Sequence, residues 1–418
     1  MYTDEDITEH YPEFNDAILV CLPQKPTTTT REGQSAYHSD STRPLAISNT
    51  DNRLIASTFR LRWERLAAKH IHPHQRGFLP RRSMLSNVVE IDHLAHLNAL
   101  TDEDPSLILY DFTAAFPSIS RDFTLRALEA FGAPREALQV MKGFYHNNHL
   151  HIKLHGKTYP GFTATRGIRQ GCPLSPLIFA IASDSLLRVM GHKMPQTHLR
   201  TFADDTAALL CSWTRQEKII HTIITTYSRI TTMEVNMKKT KNIPLWEEPI
   251  QDIKNRMDLP ENESLLNYSW ATAGKYLGVM IGPGSEHESW TAPTTKFSQR
   301  LTEWPWPMLG LFFSMRIYNT FILPTLLFIA QLGHPPNTTL QEETKAQRSL
   351  AAGPEGWCSM EDLQHLKDLG APIETRSLER CAAAAMLRTA LWENSPAGGI
   401  PWAAMQLHHQ YSCPRLTT

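Results

Sequence analysis

The chain has little with which to build a crosslinked, zinc-bound or membrane-spanning protein. Its six cysteines (Cys21, Cys172, Cys211, Cys358, Cys381 and Cys413) lie far apart in 418 residues, and no Cys-x-x-Cys pair occurs. A zinc knuckle is therefore not supported, and free thiols in a reducing intracellular compartment are the simplest reading; nucleus and cytoplasm are not distinguished. The longest apolar run, Phe321–Leu332, is about 12 residues, against the roughly 20 that a bilayer demands. The opening MYTDEDITEHYPEF has no basic stretch before an apolar one, so it does not read as a signal peptide. Charge of one sign is also lacking. Lys and Arg number 41, Asp and Glu 42, and the net charge is −1. That excludes a uniformly basic nucleic-acid coat and leaves room for a local basic groove.

What is present is ordinary globular material. Hydrophobic residues are 41% and charged residues 20%, which excludes wholesale disorder and suggests two or three domains or one composite domain. Residues 26–50, rich in Thr, Ser, Pro and Gln, read as a polar, mobile loop. Residues 53–82 then hold eight basic side chains (Arg53, Arg60, Arg62, Arg65, Lys69, Arg76, Arg81, Arg82) against the single acid Glu64. Leu54, Ile55, Phe59 and Trp63 recur there at helical spacing, which predicts a basic amphipathic helix.

Further along, LILYDF (107–112) reads as a buried strand ending in an acid. A helix is expected from near Asp122, with Leu125, Leu128 and Phe131 inside and Gly132 as its stop, and a second from Pro134. HLHIKLH (149–155) alternates strictly and reads as a hairpin strand. His149 and His151 share one face, and His70, His72 and His74 repeat the pattern. No carboxylate or thiol stands at matching spacing, so a wet or phosphate-facing strand is favoured over a metal site. LRTFADDTAALL (199–210) reads as strand, turn, strand, with Asp204 and Asp205 at the turn. Thr214 and Glu217 then suggest a capping box, for a helix burying Ile219, Ile220, Ile223, Ile224, Tyr227 and Ile230. KYLGVMI (275–281) reads as a strand, residues 290–332 as packed helices, and residues 340–418 as Ala-rich helix with Pro and Gly breaks.

Three acids bear on chemistry: Asp111 at a strand end, and Asp204 with Asp205 in a hairpin turn. Neighbouring strands would bring them within a few ångströms, where like charges raise one another's pKa unless a cation intervenes. Hard oxygen ligands of this kind suit Mg²⁺, and a pair of ions could activate a hydroxyl and stabilise departing pyrophosphate. On its own a DD pair at a turn is ordinary turn chemistry; the surrounding residues make the difference.

Seven segments stand in the order and spacing of a reverse transcriptase. TRPLAISNTDNRLIA (42–56) and QRGFLPRRSM (75–84) resemble its fingers segments. LYDFTAAFPSIS (109–120), RGIRQGCPLSPLIFAIASDSLL (166–187) and FADD (202–205) resemble its palm motifs. MEVNMKKTK (233–241) and KYLGVMIG (275–282) resemble the two that follow. The chain thus resembles the non-LTR (LINE-type) retrotransposon class over roughly residues 15–335.

The resemblance implies an α+β right-hand fold: an N-terminal segment and fingers in 1–106, and a palm in 107–285 with inserted finger elements at 134–165. Thumb helices would occupy 286–345, and a helical tail of unread role 346–418. It implies Asp111, Asp204 and Asp205 as ligands of two Mg²⁺ ions, with Mn²⁺ as a substitute. Phe116 would be a steric gate against a 2′-hydroxyl, Arg43 a triphosphate ligand, and Gln170 and Gly171 a platform for nucleotide and template. Pro173, Ser175 and Pro176 would shape the turn into the next helix. Lys239 would protonate departing pyrophosphate, and Tyr276, Leu277 and Gly278 would form a strand holding the primer end. The implied partners are template RNA, primer DNA and dNTPs, with no membrane; an endonuclease supplied elsewhere is left open.

Three positions depart from the pattern: Pro117 where many relatives have an acid, and Arg81 and Thr232 where glycine is common. The alternatives are a decayed copy that only binds nucleic acid and, against the bulky Phe116, an RNA-dependent RNA polymerase.

Overall fold

The computed structural model describes residues 11–24, 26–30, 33–38, 41–256, 268–283, 285, 288–351, 353–354 and 357–393. The expectation of helix over 340–418 therefore lies outside the described residues from 394 onward. The chain divides into two units. One comprises Met1–Asn87, Leu107–Asn242 and Lys254–Ser269, and the other Val88–Ser106, Ile243–Ile253 and Trp270–Thr418. Among the described residues no helix is long and apolar enough to cross a membrane.

In the first unit, β1 (Ala17–Pro23) pairs antiparallel with β2 (Thr42–Ser48). The predicted loop over 26–50 is thus corrected, because its last residues (TRPLAIS) pair along the whole of β1. A four-stranded sheet follows, in the order β2, β1, β3 (His149–Leu154), β4 (Lys157–Thr163). Ala17, Ala46 and Leu150 form its small apolar face. His151 Nε2 lies 3.0 Å from Asp16 Oδ2, so a carboxylate does reach that histidine, from the residue just before β1. Among the described residues no cluster of three His, Cys, Asp or Glu side chains is placed to hold a metal ion.

Helix α1 (Thr50–His70) forms as expected, but its buried face differs. Asn52, Ala56 and Ala67 face inward, whereas Leu54, Ile55, Leu61 and Leu66 are exposed. Arg82 caps this helix. Its guanidinium donates to the carbonyls of Ala68 (2.6 Å), Ile71 (3.0 Å), His72 (2.7 Å) and Gln75 (2.6 Å), satisfying C-terminal carbonyls that the helix leaves open. Arg76 donates to Asn87 Oδ1 and Arg60 pairs with Glu64. Arg76 and Arg82 are therefore structural, whereas Arg53, Arg60, Arg62, Arg65, Lys69 and Arg81 are exposed.

The core of this unit is α2 (Ser175–Lys193), with Leu177, Ile178, Phe179, Ala180, Ala182 and Leu187 almost fully buried. Pro176 sits in its first turn, where a missing N–H costs nothing. Helices α3 (Arg121–Ala130) and α4 (Trp213–Thr231) pack on it. The cap of α4 falls earlier than the predicted capping box. Ser212 is the N-cap, and Gln216 Oε1 accepts its backbone N–H at 3.1 Å. Ile220, Ile224 and Tyr227 are buried, while Ile219 and Ile230 are exposed. A five-stranded sheet has the order Ser269–Trp270, Lys241–Pro244, Ser106–Tyr110, Asp205–Leu210, His198–Phe202.

Both departures from glycine fall on left-handed backbone. Arg81 has φ 61° and Thr232, the C-cap of α4, has φ 61° and ψ 14°. Thr232 recovers part of the strain by donating its hydroxyl to Ser118 O at 2.6 Å. Arg81→Gly is expected to stabilise the fold by about 0.5–1 kcal/mol, the left-handed penalty less the entropy of glycine. A denaturant midpoint raised at constant slope would show it.

In the second unit, Trp290, Phe297, Tyr318, Ile322, Leu326, Ala346 and Leu378 supply buried surface on the helices Glu288–Thr302, Asn337–Leu350 and Leu378–Glu393 and the turns between them. Buried Glu343 accepts from Tyr318 Oη (3.2 Å) and from Leu378 N (2.7 Å), capping the last helix. Tyr276, Leu277 and Gly278 belong here and correct the expected single strand. Gly274–Tyr276 and Val279–Ile281 form a hairpin whose turn is Leu277–Gly278. Both turn residues have positive φ (48° and 93°), as a two-residue turn matched to strand twist requires.

Candidate active site

Asp111 follows the Ser106–Tyr110 strand, Asp204 stands with Ala203 in the two-residue turn after Phe202, and Asp205, paired with Phe202, opens the neighbouring strand. Sheet geometry alone therefore brings the three acids to one end of adjacent strands. The loop after α4 wraps Asp111: Asn236 N donates to Asp111 O (2.7 Å), and Asp111 N donates to Thr240 Oγ1 (3.3 Å). Lys239 lies in that loop, its backbone N–H bound by Asn236.

The electrostatics tie these groups together. Burial raises the Asp111 carboxyl above its ordinary range, and Lys239 opposes the shift. Burial also raises Asp204, with Asp111 adding to it and Arg43 opposing. Asp205 is pushed from 3.8 to about 6 by burial, by Asp204 and by Asp111, against Arg43. Asp205 nonetheless keeps exposed surface, so solvent screening weakens any stability cost. Each carboxylate is less comfortable ionised than in water, and a cation between them would relieve that.

A consequence for pH follows. A raised carboxyl favours the fold while protonated, so the contribution of Asp205 to stability is full below its unfolded value of 3.8 and is lost as pH rises through about 6. In metal-free protein, Asp205→Asn is expected to stabilise the fold at pH 8, by about 1 kcal/mol after screening and with a raised unfolding temperature, and not at pH 4. Thermal scans at the two pH values check this. Equal gains at both would mean that the substitution acts through packing.

Phe116 stacks on Phe179 with ring centroids 4.4 Å apart and planes 10° from parallel, and Phe78 meets its edge at 6.3 Å. One face of Phe116 is thus braced by the core while the side chain stays half-buried. Its carbonyl accepts from Ile168 N (2.8 Å), which fixes it to the 166–176 turn. In that turn Gln170 O accepts from Ala46 N (2.8 Å). Gly171 has φ 113°, and a β-carbon there would meet Ala46 O at 2.7 Å, so only glycine fits. Arg43 lies on the same strand as Ala46 and is exposed.

The structure therefore brings Asp111, Asp204 and Asp205 within electrostatic reach of one another, with Lys239 acting on Asp111 and Arg43 on Asp204 and Asp205, and it ties Phe116 and Gln170 to the 166–176 turn and its neighbours by backbone bonds. Sequence reasoning missed the side chains that hold this turn. Arg121 and Arg169 stack over the ring of Tyr145 at 5.0 and 5.4 Å. Arg169 donates to Phe144 O (2.6 Å) and Arg121 to Gly167 O (3.0 Å). Arg169 was visible inside RGIRQG, but its partners lie more than 20 residues away.

Comparison with known proteins bears on the family. The family model described as reverse transcriptase (RNA-dependent DNA polymerase) matches residues 25–281, more than half of the chain. The transposon TX1 149 kDa protein of Xenopus laevis is 26% identical over 172 residues, 39% of this chain and 13% of that protein. The Pol polyprotein of the type-2 retrotransposable element R2DM of Drosophila melanogaster is 30% identical over 139 residues, 32% of this chain and 13% of its own length. The Pol polyprotein of the type-1 element R2 of Popillia japonica is 27% identical over 169 residues, 38% of this chain and 27% of its own length. The matched stretches thus span well under a third of these relatives. Among solved structures, telomerase of Candida tropicalis with a fragment of telomeric RNA has a TM-score of 0.45 at 10% identity, over 96% of this chain and 65% of that one. The RNA-dependent RNA polymerase of a human picobirnavirus has 0.46 at 12% identity, over 88% and 64%. The chain belongs to the reverse transcriptase (RNA-dependent DNA polymerase) family.

Proposed function

We propose that this chain is an RNA-directed DNA polymerase of a non-LTR retrotransposon, transferring a nucleotide from a dNTP to a primer 3′-hydroxyl. The observation that carries the reading is the coupling of three carboxylates at the ends of adjacent strands, each raised by burial, with Arg43 and Lys239 opposing. Family membership implies divalent metal use in general. The donor set fits Mg²⁺, because carboxylate oxygens are hard ligands and their repulsion needs a cation. The ion takes one or two protein carboxylates and completes its shell with water and phosphate oxygens, so three side chains need not close on one point. Asp111 and Asp204 would hold two such ions, with Asp205 as a weaker third ligand. Bound there, the ions supply charge neutralisation and a lowered pKa for the attacking hydroxyl.

The chain's own residues do the positioning. Arg43 forks onto the triphosphate. Gln170 and Gly171 lie under nucleotide and template, where the missing β-carbon lets backbone approach. Phe116, braced on Phe179, occupies the space that a 2′-hydroxyl would need. Lys239 donates a proton to pyrophosphate as it leaves. Tyr276, Leu277 and Gly278 present a tight hairpin turn to the primer end. The exposed arginines of α1 meet template RNA phosphates. In this reading the first hundred residues and the hairpin at 149–163 are fingers, the five-stranded sheet is the palm, and the helices from 288 are the thumb.

The test is competition between labelled dTTP and UTP on an RNA template with a DNA primer. Incorporation of dTTP supports the reading. Preference for UTP would make the chain an RNA polymerase, and salt-sensitive RNA binding with no incorporation would make it a binding module.

A further inference from the structure

We infer that Gln75 is a positioning residue for the acid-bearing hairpin. The inference rests on the polymerase reading for its consequence, and on geometry alone for its existence. Gln75 has no exposed surface, and all of its amide capacity is spent on this hairpin and its supports. Its Oε1 accepts from Ala203 N (3.0 Å) and from Gly77 N (2.8 Å). Its Nε2 donates to Ala203 O (3.3 Å) and to Ser183 Oγ (2.9 Å). One side chain thus grips both the N–H and the C=O of the residue immediately before Asp204.

That residue is strained. Ala203 has φ 58°, a conformation that an alanine adopts only when its surroundings hold it there. The left-handed turn at Ala203 sets the direction in which Asp204 and Asp205 leave the strand. Gln75 is itself held from three directions. Thr201 N donates to His74 O and Arg76 N donates to Thr201 O, each at 2.9 Å, so residues 74–76 form a short bridge alongside the hairpin strand. Arg82 donates to Gln75 O (2.6 Å). A β-carbon on Gly77 would run into Ala203 N, so glycine is needed for the approach.

Only an amide meets this pattern. Two N–H groups converge on one atom of the side chain, and two oxygens on the other. Glutamate would turn an acceptor toward the Ala203 carbonyl in place of a donor, leaving buried oxygens in repulsion. Leucine would leave the Ala203 N–H and C=O both unpartnered. Phe78, three residues on, meets Phe202 at 5.8 Å and Phe116 at 6.3 Å, so the same segment also braces the residue before Ala203 and the ring proposed as the sugar gate.

The experiment compares wild type with Gln75→Glu, Gln75→Leu and the milder Ser183→Ala, which removes one of the four bonds and leaves the amide in place. Three quantities are read: hydrogen exchange of the Ala203 amide, Mn²⁺ binding followed by electron paramagnetic resonance, and primer extension resolved into kcat and KM for dNTP. In Gln75→Glu, Ala203 exchange is expected to quicken by at least tenfold. Mn²⁺ affinity should fall, and kcat should drop about 10–100-fold with KM within threefold, as a misplacement of about 1 Å produces. Ser183→Ala should show the same changes at a few-fold. If Gln75→Glu fails to fold, the Ser183→Ala changes stand as the test. Folded variants with wild-type Ala203 exchange and wild-type Mn²⁺ binding would overturn the inference. Because exchange and Mn²⁺ binding do not require turnover, a wild type that extends no primer would defeat the polymerase reading without deciding this one.

Discussion

Asp111→Asn is expected to lose primer extension by about three orders of magnitude while the protein becomes more stable. The loss corresponds to some 4 kcal/mol of transition-state stabilisation, the scale on which a preorganised electrostatic group acts. The gain has a separate origin. Asp111 raises the carboxyls of both Asp204 and Asp205, so its removal relieves two neighbours as well as its own burial. Asparagine keeps the shape and leaves the Asp111 backbone bonds to Asn236 and Thr240 untouched. Activity and stability moving in opposite directions is the signature of a site that stores repulsion for a ligand. Extension rates and thermal scans in metal-free buffer at pH 8 read the two effects. A variant that loses both activity and stability would place Asp111 in the architecture rather than in the chemistry.

Phe116→Ala is expected to relax sugar selection by ten- to a hundredfold. The ring is held on one side by Phe179 and at its edge by Phe78, so it cannot swing aside at low cost. A half-buried, braced wall discriminates by overlap, and removing the overlap restores the 2′-hydroxyl substrate by roughly 1–3 kcal/mol. The variant should gain UTP incorporation and keep most of its dTTP rate. It should also lose stability, because truncating a stacked aromatic leaves a cavity against Phe179, costing about 3 kcal/mol. Competition between dTTP and UTP reads the first effect. Unchanged preference in a folded variant would contradict the gate assignment and return Phe116 to the role of a core aromatic.

How much of this was legible in the sequence depends on how local each feature is. Asp204 and Asp205 were legible because strand, turn and strand are encoded within twelve residues, and FADD falls at the turn. Arg81 and Thr232 were legible as departures, and the structure gives the reason, since both stand at positive φ. Gln75 lay inside a recognised segment, but its partners Ser183 and Ala203 are 108 and 128 residues away, and no local pattern marks such a grip. The turn at Leu277–Gly278 was hidden because the apolar residues of KYLGVMI look like an uninterrupted strand and leucine seldom adopts positive φ. In α1, the spacing of Leu54, Ile55, Phe59 and Trp63 correctly gave a helix. The faces were misjudged because the close-packed side takes alanine and asparagine, with Asn52 Nδ2 donating to Phe14 O and Asn15 Oδ1, while leucines stay outside among the arginines.

The most direct measurement is extension of an oligo(dT) primer on poly(rA) with Mg²⁺ and dTTP, run beside Asp204→Ala. Extension by the wild type, absent in the variant and dependent on the divalent ion, is the expected result. No extension from folded wild-type protein that binds RNA, or equal extension by the variant, would contradict it.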